Sequence, residues 1–195
     1  MTISSLQDHF QENHGVLTSK ELLKLGLSYY KIRQLLHDKI LEKVKRGVYT
    51  FRDNSEDELG LLTKLIPKGV FCFHSAAYIY NYTTSIPLKH HVAVHHKANL
   101  NLPDFPPIKL YYWQKNQYQI GVIKKEVNGV FINIYDREKT ICDYIKFRNK
   151  LEVSMVKEVL QTYLSDSNRN IVQLKKYSRE LRISTILDHY LELLI

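Results

Sequence analysis

Within its first 52 residues the chain changes its hydrophobic period, and residues that start and stop helices punctuate the change. Ile3, Leu6 and Phe10 recur at helical spacing across residues 3–13, and Asn13-His14-Gly15 reads as a stop. After a short apolar step at Val16-Leu17, Thr18 is followed three residues on by Glu21. That is the spacing of a capping box, in which the hydroxyl and the carboxylate each satisfy a backbone N–H at the helix start. The helix it opens, 19–25, is closed by Gly26, and Ser28 stands as N-cap of a third helix running through His37. Residues 40–44 and 48–51 then read as two strands about an Arg46-Gly47 turn. A stretch so punctuated is confined to three short helices and a β-hairpin.

Helix, helix, helix, hairpin is the element order of a winged helix-turn-helix, whose third helix enters the major groove of DNA. On a wheel of about 100° per residue, Ile32, Leu35 and Leu36 fall together toward a core. The opposite side carries Tyr30, Arg33, Gln34 and His37, with Lys31 on the flank and no carboxylate. Arg forks onto guanine edges and Gln pairs with adenine, while Tyr and Lys suit phosphate contacts that position a helix without reading sequence. Lys43, Lys45 and Arg46 surround the hairpin turn, where a wing meets the backbone or the minor groove. Charge agrees with this reading. The chain carries 28 Lys and Arg against 20 acids, a net of +8. Residues 28–52 hold seven of the basic side chains (Lys31, Arg33, Lys39, Lys43, Lys45, Arg46, Arg52) against two acids (Asp38, Glu42). Such a cluster neutralises phosphates and makes binding salt dependent. The plainer alternative is an amphipathic helix with a solvated basic face. The coincidence of element order, carboxylate-free face and basic turn favours DNA.

Asp53-Asn54-Ser55-Glu56-Asp57 is polar and aperiodic. A linker is therefore expected at about 53–56, between a first domain over 1–52 and a second over 57–195; Ser55 is also a candidate cap for a helix at 58–66. Strands are expected at 70–73, 90–96, 108–113, 119–126 and 130–135, with a short helix at 74–80. Asn128-Gly129 is a strong two-residue hairpin signal, and 99–107, with three prolines, is an irregular loop. Helices are expected at 137–148, 151–164, 169–180 and 184–194. The expected fold class is α+β: an N-terminal winged helix-turn-helix followed by a mixed α/β domain with a helical C-terminal third.

Composition excludes several classes. Hydrophobic residues make up 44%, enough to build a core. No run approaches the roughly 18 apolar residues of a membrane helix. The sequence opens without a basic segment leading into an apolar one, and its two cysteines, Cys72 and Cys142, lie in apolar stretches. A cytoplasmic protein with buried, unpaired thiols is expected. His90, His91, His95 and His96 invite a metal site, but on a strand His91 and His95 lie about 13 Å apart along one face, too far to share an ion. No metal or other cofactor is expected. Asp136, Glu138 and Lys139 have the residue types of a nuclease site, but Glu138 and Lys139 are adjacent where such sites space them apart. Asp136 reads better as a helix N-cap, with Glu138 favoured in the first turn. Neither a Gly-x-Ser-x-Gly elbow nor a glycine-rich phosphate loop occurs. No catalytic residues are assigned. His74 reads as a structural histidine, or as a contact for a partner.

Three blocks of the sequence resemble AbiEi-type antitoxins, the antitoxin halves of type IV toxin–antitoxin systems linked to abortive phage infection. The first joins Gly15-Val-Leu-Thr-Ser-Lys-Glu-Leu, Gly26-Leu-Ser-Tyr-Tyr-Lys-Ile-Arg-Gln-Leu-Leu and Leu41-Glu-Lys-Val-Lys-Arg-Gly-Val-Tyr49. The others are Phe73-His-Ser-Ala-Ala-Tyr-Ile-Tyr80 and Tyr135-Asp-Arg-Glu-Lys-Thr-Ile-Cys-Asp143. The resemblance implies a two-function protein. Its winged helix would bind inverted repeats in its own promoter, as double-stranded DNA, and repress the operon. Its C-terminal domain would oppose a nucleotidyltransferase-like toxin, with or without a stable complex. The residues expected to meet DNA are Ser28, Tyr29, Tyr30, Lys31, Arg33 and Gln34 on the helix, with Lys43, Lys45 and Arg46 in the wing. One departure stands out: the family often has Gly after the recognition helix, and here the turn is Asp38-Lys39. A non-Gly residue at positive φ costs about 1 kcal/mol, so a local difference in that turn is expected. Two other readings remain: a restriction-like nuclease with a DNA-reading domain, and a transcription factor with a sensing C-terminal domain.

Overall fold

The computed structural model describes residues 2–52 and 57–194, and it divides into two compact units. The first comprises residues up to Lys68 together with 99–106 and 128–130; the second holds the rest. The expected linker at 53–56, and with it Ser55, lies outside the described residues.

The first unit runs α1 (Ile3–Glu12), β1 (Val16–Thr18), α2 (Ser19–Lys24), α3 (Tyr29–His37), β2 (Leu41–Lys45), β3 (Val48–Phe51) and α4 (Glu58–Leu65). The step at Val16-Leu17 becomes a strand because it pairs antiparallel with β3, giving a three-stranded sheet in the order β1-β3-β2. Three helices against a small sheet whose last two strands form a hairpin is a winged helix-turn-helix. The Thr18–Glu21 capping box is complete: Thr18 Oγ1 accepts from Glu21 N, and Glu21 Oε2 accepts from Thr18 N at 2.7 Å. α1, α2 and α3 all end the same way. A residue in the left-handed region, His14, Gly26 or Lys39, lets the next N–H reach back to a carbonyl of the last turn. At the end of α3 this residue is Lys39, with φ 56 and Ile40 N donating to Leu35 O at 3.0 Å, so a lysine carries the backbone cost of about 1 kcal/mol that a glycine would avoid. The core gathers Leu6, Phe10, Leu17, Leu22, Leu27, Ile32, Leu35, Leu41 and Tyr49.

α4 packs within this unit. Asp57 caps it, accepting from Leu59 N at 3.0 Å. Asp57 also lies 3.3 Å from His14 Nδ1, and Lys64 pairs with Glu21. Gly60 permits the close approach: a Cβ there would lie 2.4 Å from the Cβ of His14.

The second unit has a five-stranded sheet in the order β6-β5-β4-β8-β7, with β4 (Val70–Phe71), β5 (His90–His95), β6 (Ile108–Trp113), β7 (Val122–Val127) and β8 (Val130–Tyr135). β4 pairs antiparallel with β5 and parallel with β8. Two boundaries differ from the sequence expectation. The strand expected at 70–73 stops at Phe71, because Phe73 adopts φ 44 and starts α5 (Phe73–Ile79), tucking its ring among Tyr111, Trp113 and Phe147. The strand expected at 119–126 starts only at Val122, since 115–119 form a helical turn, α6 (Lys115–Gln119). That turn is held by tertiary contacts: Tyr135 Oη donates to Tyr118 O at 2.8 Å, and Tyr118 meets the His95 ring edge-on. The last third is helical as expected: α7 (Arg137–Lys146), α8 (Val153–Ser165), α9 (Ile171–Glu180) and α10 (Ser184–Leu194). α7 is central, buried continuously from Glu138 to Ile145 and packed by the three helices that follow.

Candidate nucleic-acid interface

α3 is positioned by its ends and its apolar stripe. Ser28 Oγ accepts from Lys31 N at 3.2 Å, Leu27 is buried, and Ile32 and Leu35 anchor the inner face at 2% exposure. The rotation this imposes turns Ser28, Tyr29, Tyr30, Lys31, Arg33, Gln34 and His37 to solvent. Tyr29 and Tyr30 are the clearest case, at 61% and 78% exposed. Two large aromatic rings gain nothing from water, and both lie on one helix face. Lys31 Nζ donates to Gln34 Oε1 at 3.0 Å, which leaves the Gln34 amide N–H₂ turned outward as a donor. Arg33 is exposed, with its five donors available to a fork-shaped contact.

The hairpin brings together two of the three wing residues singled out from sequence and separates the third. Lys43 and Arg46 are exposed; Lys45 is half-buried. Its Nζ donates to the carbonyl of Leu65, at the C-terminus of α4, at 2.7 Å. Burial pushes its pKa below the usual lysine value. The cause is a register shift in β2. Lys43 pairs with Tyr49 but Lys45 pairs with Val48, so their partners are adjacent residues of β3. Adjacent strand residues point to opposite faces. The bulge at Val44 therefore sends Lys43 outward and Lys45 toward α4, where i and i+2 on a regular strand would share a face. Sequence spacing carries no signal for that bulge, nor for a carbonyl twenty residues away. In this structure the Lys45 ammonium is therefore turned to α4, apart from Lys43 and Arg46. The exposed cations Lys20 and Lys24 on α2 were not singled out from sequence. They lie on the helix that crosses the phosphate backbone in helix-turn-helix proteins.

In the second unit the candidate catalytic groups are absorbed by the fold. Asp136 caps α7, accepting from Lys139 N at 2.7 Å and from Tyr177 Oη at 2.9 Å. Glu138 Oε1 accepts from Tyr163 Oη and Asn170 N. Lys139 is fully buried between the rings of Trp113 and Tyr135, 4.1 Å from each centroid, and donates to both oxygens of Asp143 at 2.7 Å. Burial pushes the Asp143 carboxyl up, and the Lys139 ammonium opposes it. Cys72 and Cys142 are buried free thiols, both raised by burial. The histidines of β5 face different neighbours: His91 Nδ1 meets Tyr111 Oη at 3.1 Å, while the His95 ring lies tilted against that of His96, with centroids 4.3 Å apart. Among the described residues no three His, Cys, Asp or Glu side chains gather as a metal site would require, and no helix is long and apolar enough to cross a membrane.

Residues 4–52 match the family of AbiEi antitoxin transcriptional regulators. The match runs from α1 through β3 and so covers the helices, the sheet and the exposed face of α3. It ends before α4. No curated protein matches the chain. The AbiEi match and the exposed α3 face fall on the same segment, although one is a pattern of sequence and the other a pattern of exposure.

Proposed function

We propose that the chain is an antitoxin and autorepressor of a type IV, abortive-infection toxin–antitoxin system. Its N-terminal winged helix binds double-stranded promoter DNA at inverted repeats and represses its own operon. Arg33 and the Gln34 amide read base edges; Ser28, Tyr29, Tyr30 and Lys31 hold phosphates; Lys43 and Arg46 contact the backbone beside the groove. The observation that carries this reading is the outer face of α3, exposed from Tyr29 to His37 apart from its core stripe and free of carboxylates, within the segment that matches antitoxin regulators. A duplex repels acids and attracts such a face, and the two exposed tyrosines have apolar rings to bury and hydroxyls to donate.

The second unit opposes a nucleotidyltransferase-like toxin, in the cytoplasm and with or without a stable complex. This half rests on the resemblance of 73–80 and 135–143 to the same antitoxins. No catalytic role is assigned to it, because Asp136, Glu138 and Lys139 are each engaged in bonds that hold α7 in place.

The test is an anisotropy titration of the full chain with the DNA upstream of its own gene, against random DNA, at two salt concentrations. Sequence-specific, salt-sensitive binding is the expected result. Equal affinity for both DNAs would remove autorepression. Co-expression with the product of the neighbouring gene tests the second half: rescue of growth is expected, and toxicity unchanged by the antitoxin would reject it.

A further inference from the structure

Within the second unit, a cavity of about 650 Å³ opens beside α5, β5 and β6. Nothing in the DNA-binding reading uses it. Its size falls in the range of roughly 300–1,000 Å³ that holds small ligands. The inner wall is polar and aromatic. His74 Nδ1 lies 3.4 Å from Tyr144 Oη, and the His74 and His91 rings are 6.1 Å apart. Burial lowers both imidazoles, and nearby Lys109 helps hold His91 down at about 4, so near neutral pH both rings are uncharged; His74 is already bonded to the Ser85 backbone, and the N–H facing the cavity is that of His91.

The rim is cationic. Lys89, Lys109 and Lys150 are exposed around the opening, and among the described residues none of them is in an ion pair. Lys109 and Lys150 sit only over the rings of Tyr111 and Phe147. One carboxylate, Glu152, also lines the opening. Glu158, which acts on His74, is turned to Thr83 and Thr84. Three cations against one lining acid, over walls of low polarisability, focus a positive potential into the cavity. The remaining wall is apolar and uncovered: Ile86 and Leu88, 70% and 91% exposed, stand beside Phe73.

We propose that this cavity binds a small anion with a flat or apolar body. The phosphate or carboxylate meets Lys89, Lys109 and Lys150, and the body lies against Ile86 and Leu88 with His91 as N–H donor. This proposal is independent of DNA binding.

The experiment is calorimetric titration of the full chain with adenosine monophosphate, salicylate, inorganic phosphate and adenosine. Fluorescence of the single tryptophan is a second readout, since Trp113 packs on Phe73 with ring centroids 5.8 Å apart. Saturable binding of adenosine monophosphate or salicylate is expected, and which of them binds tells whether the rim takes phosphate or carboxylate. Adenosine and inorganic phosphate are expected to bind at least about tenfold more weakly, each lacking either charge or body. Lys89→Gln/Lys109→Gln, two exposed positions, is expected to weaken the bound probe about tenfold or more, whereas Lys124→Gln on β7 leaves it unchanged. Absence of saturable binding by any probe, inorganic phosphate binding as tightly as the flat anions, or full affinity in the double variant would overturn the proposal.

Discussion

Lys43 and Lys45 are two residues apart on one strand, and the structure gives them different surroundings. Replacing each by alanine tests whether they also differ in role. Lys43 is exposed, so its ammonium is free to neutralise one phosphate. Removing it is expected to lower the slope of log affinity against log salt by about 0.9. Over a fourfold change in salt this amounts to a factor of about 3.5 in the salt response, with stability unchanged. Lys45 is bound to the Leu65 carbonyl at 2.7 Å. Hydrogen bonds from charged donors contribute about 1.5–3 kcal/mol. The partial burial that lowers the Lys45 pKa offsets part of that, leaving roughly 1 kcal/mol to be lost in Lys45→Ala, with an unchanged salt slope. The assays are anisotropy on the promoter fragment at four salt concentrations and urea denaturation followed by circular dichroism. If Lys45→Ala flattens the slope while leaving stability intact, the bulge does not turn Lys45 inward in solution and the division of roles collapses. If Lys43→Ala leaves the slope untouched, the wing does not meet phosphate.

Arg33→Ala is expected to cost about 1–3 kcal/mol of binding to the promoter and far less on random DNA, read by paired titrations. Lys139→Met strands the Asp143 carboxylate in the core and is expected to destabilise by about 3–5 kcal/mol in denaturation, whereas Lys139→Met/Asp143→Leu recovers most of that loss. A double variant no more stable than the single would show that the pair does not act as a unit. Lys39→Gly relieves the left-handed strain at φ 56 and is expected to raise stability by about 0.5–1 kcal/mol; a loss would mean that the Lys39 side chain contributes more than its backbone costs. Burial raises the Glu21 carboxyl, but bonds from Lys64 and Thr18 outweigh it and hold the group below its ordinary value of 4.5. A depressed acid stabilises the fold above its unfolded pKa, and that contribution fades as pH falls through the folded value. Thermal melts below about pH 4.5 should therefore decline more steeply in the wild type than in Glu21→Gln.

What sequence alone determined is local. Thr18, Glu21, Ser28, Gly26 and Asp136 set helix ends through bonds spanning at most a few residues, so residue type and spacing suffice to place them. The apolar stripe of α3 set which side chains face water, because a helix has one period and one buried stripe. The winged helix and the α3 surface follow from those two facts. Tertiary structure decided whatever depends on a partner far along the chain. Lys45 turned inward because a bulge broke the strand's alternation and a carbonyl of α4 stood ready to accept. Phe73 left its strand for an aromatic cluster built from β6 and α7. The turn at 115–119 became helical around a hydroxyl from Tyr135. Lys139 and Asp143 lie at the i,i+4 spacing that pairs charges on a helix surface, and only the packing of α7 against Trp113 of β6 and Tyr135 of β8 turned that surface pair into a core one. The cavity beneath Lys89 and Lys109 belongs to the same class, since its lining is drawn from separate strands and helices that no periodicity links. Bonds within one turn of helix are written in residue order; bonds across a sheet or between helices exist only once the chain has closed.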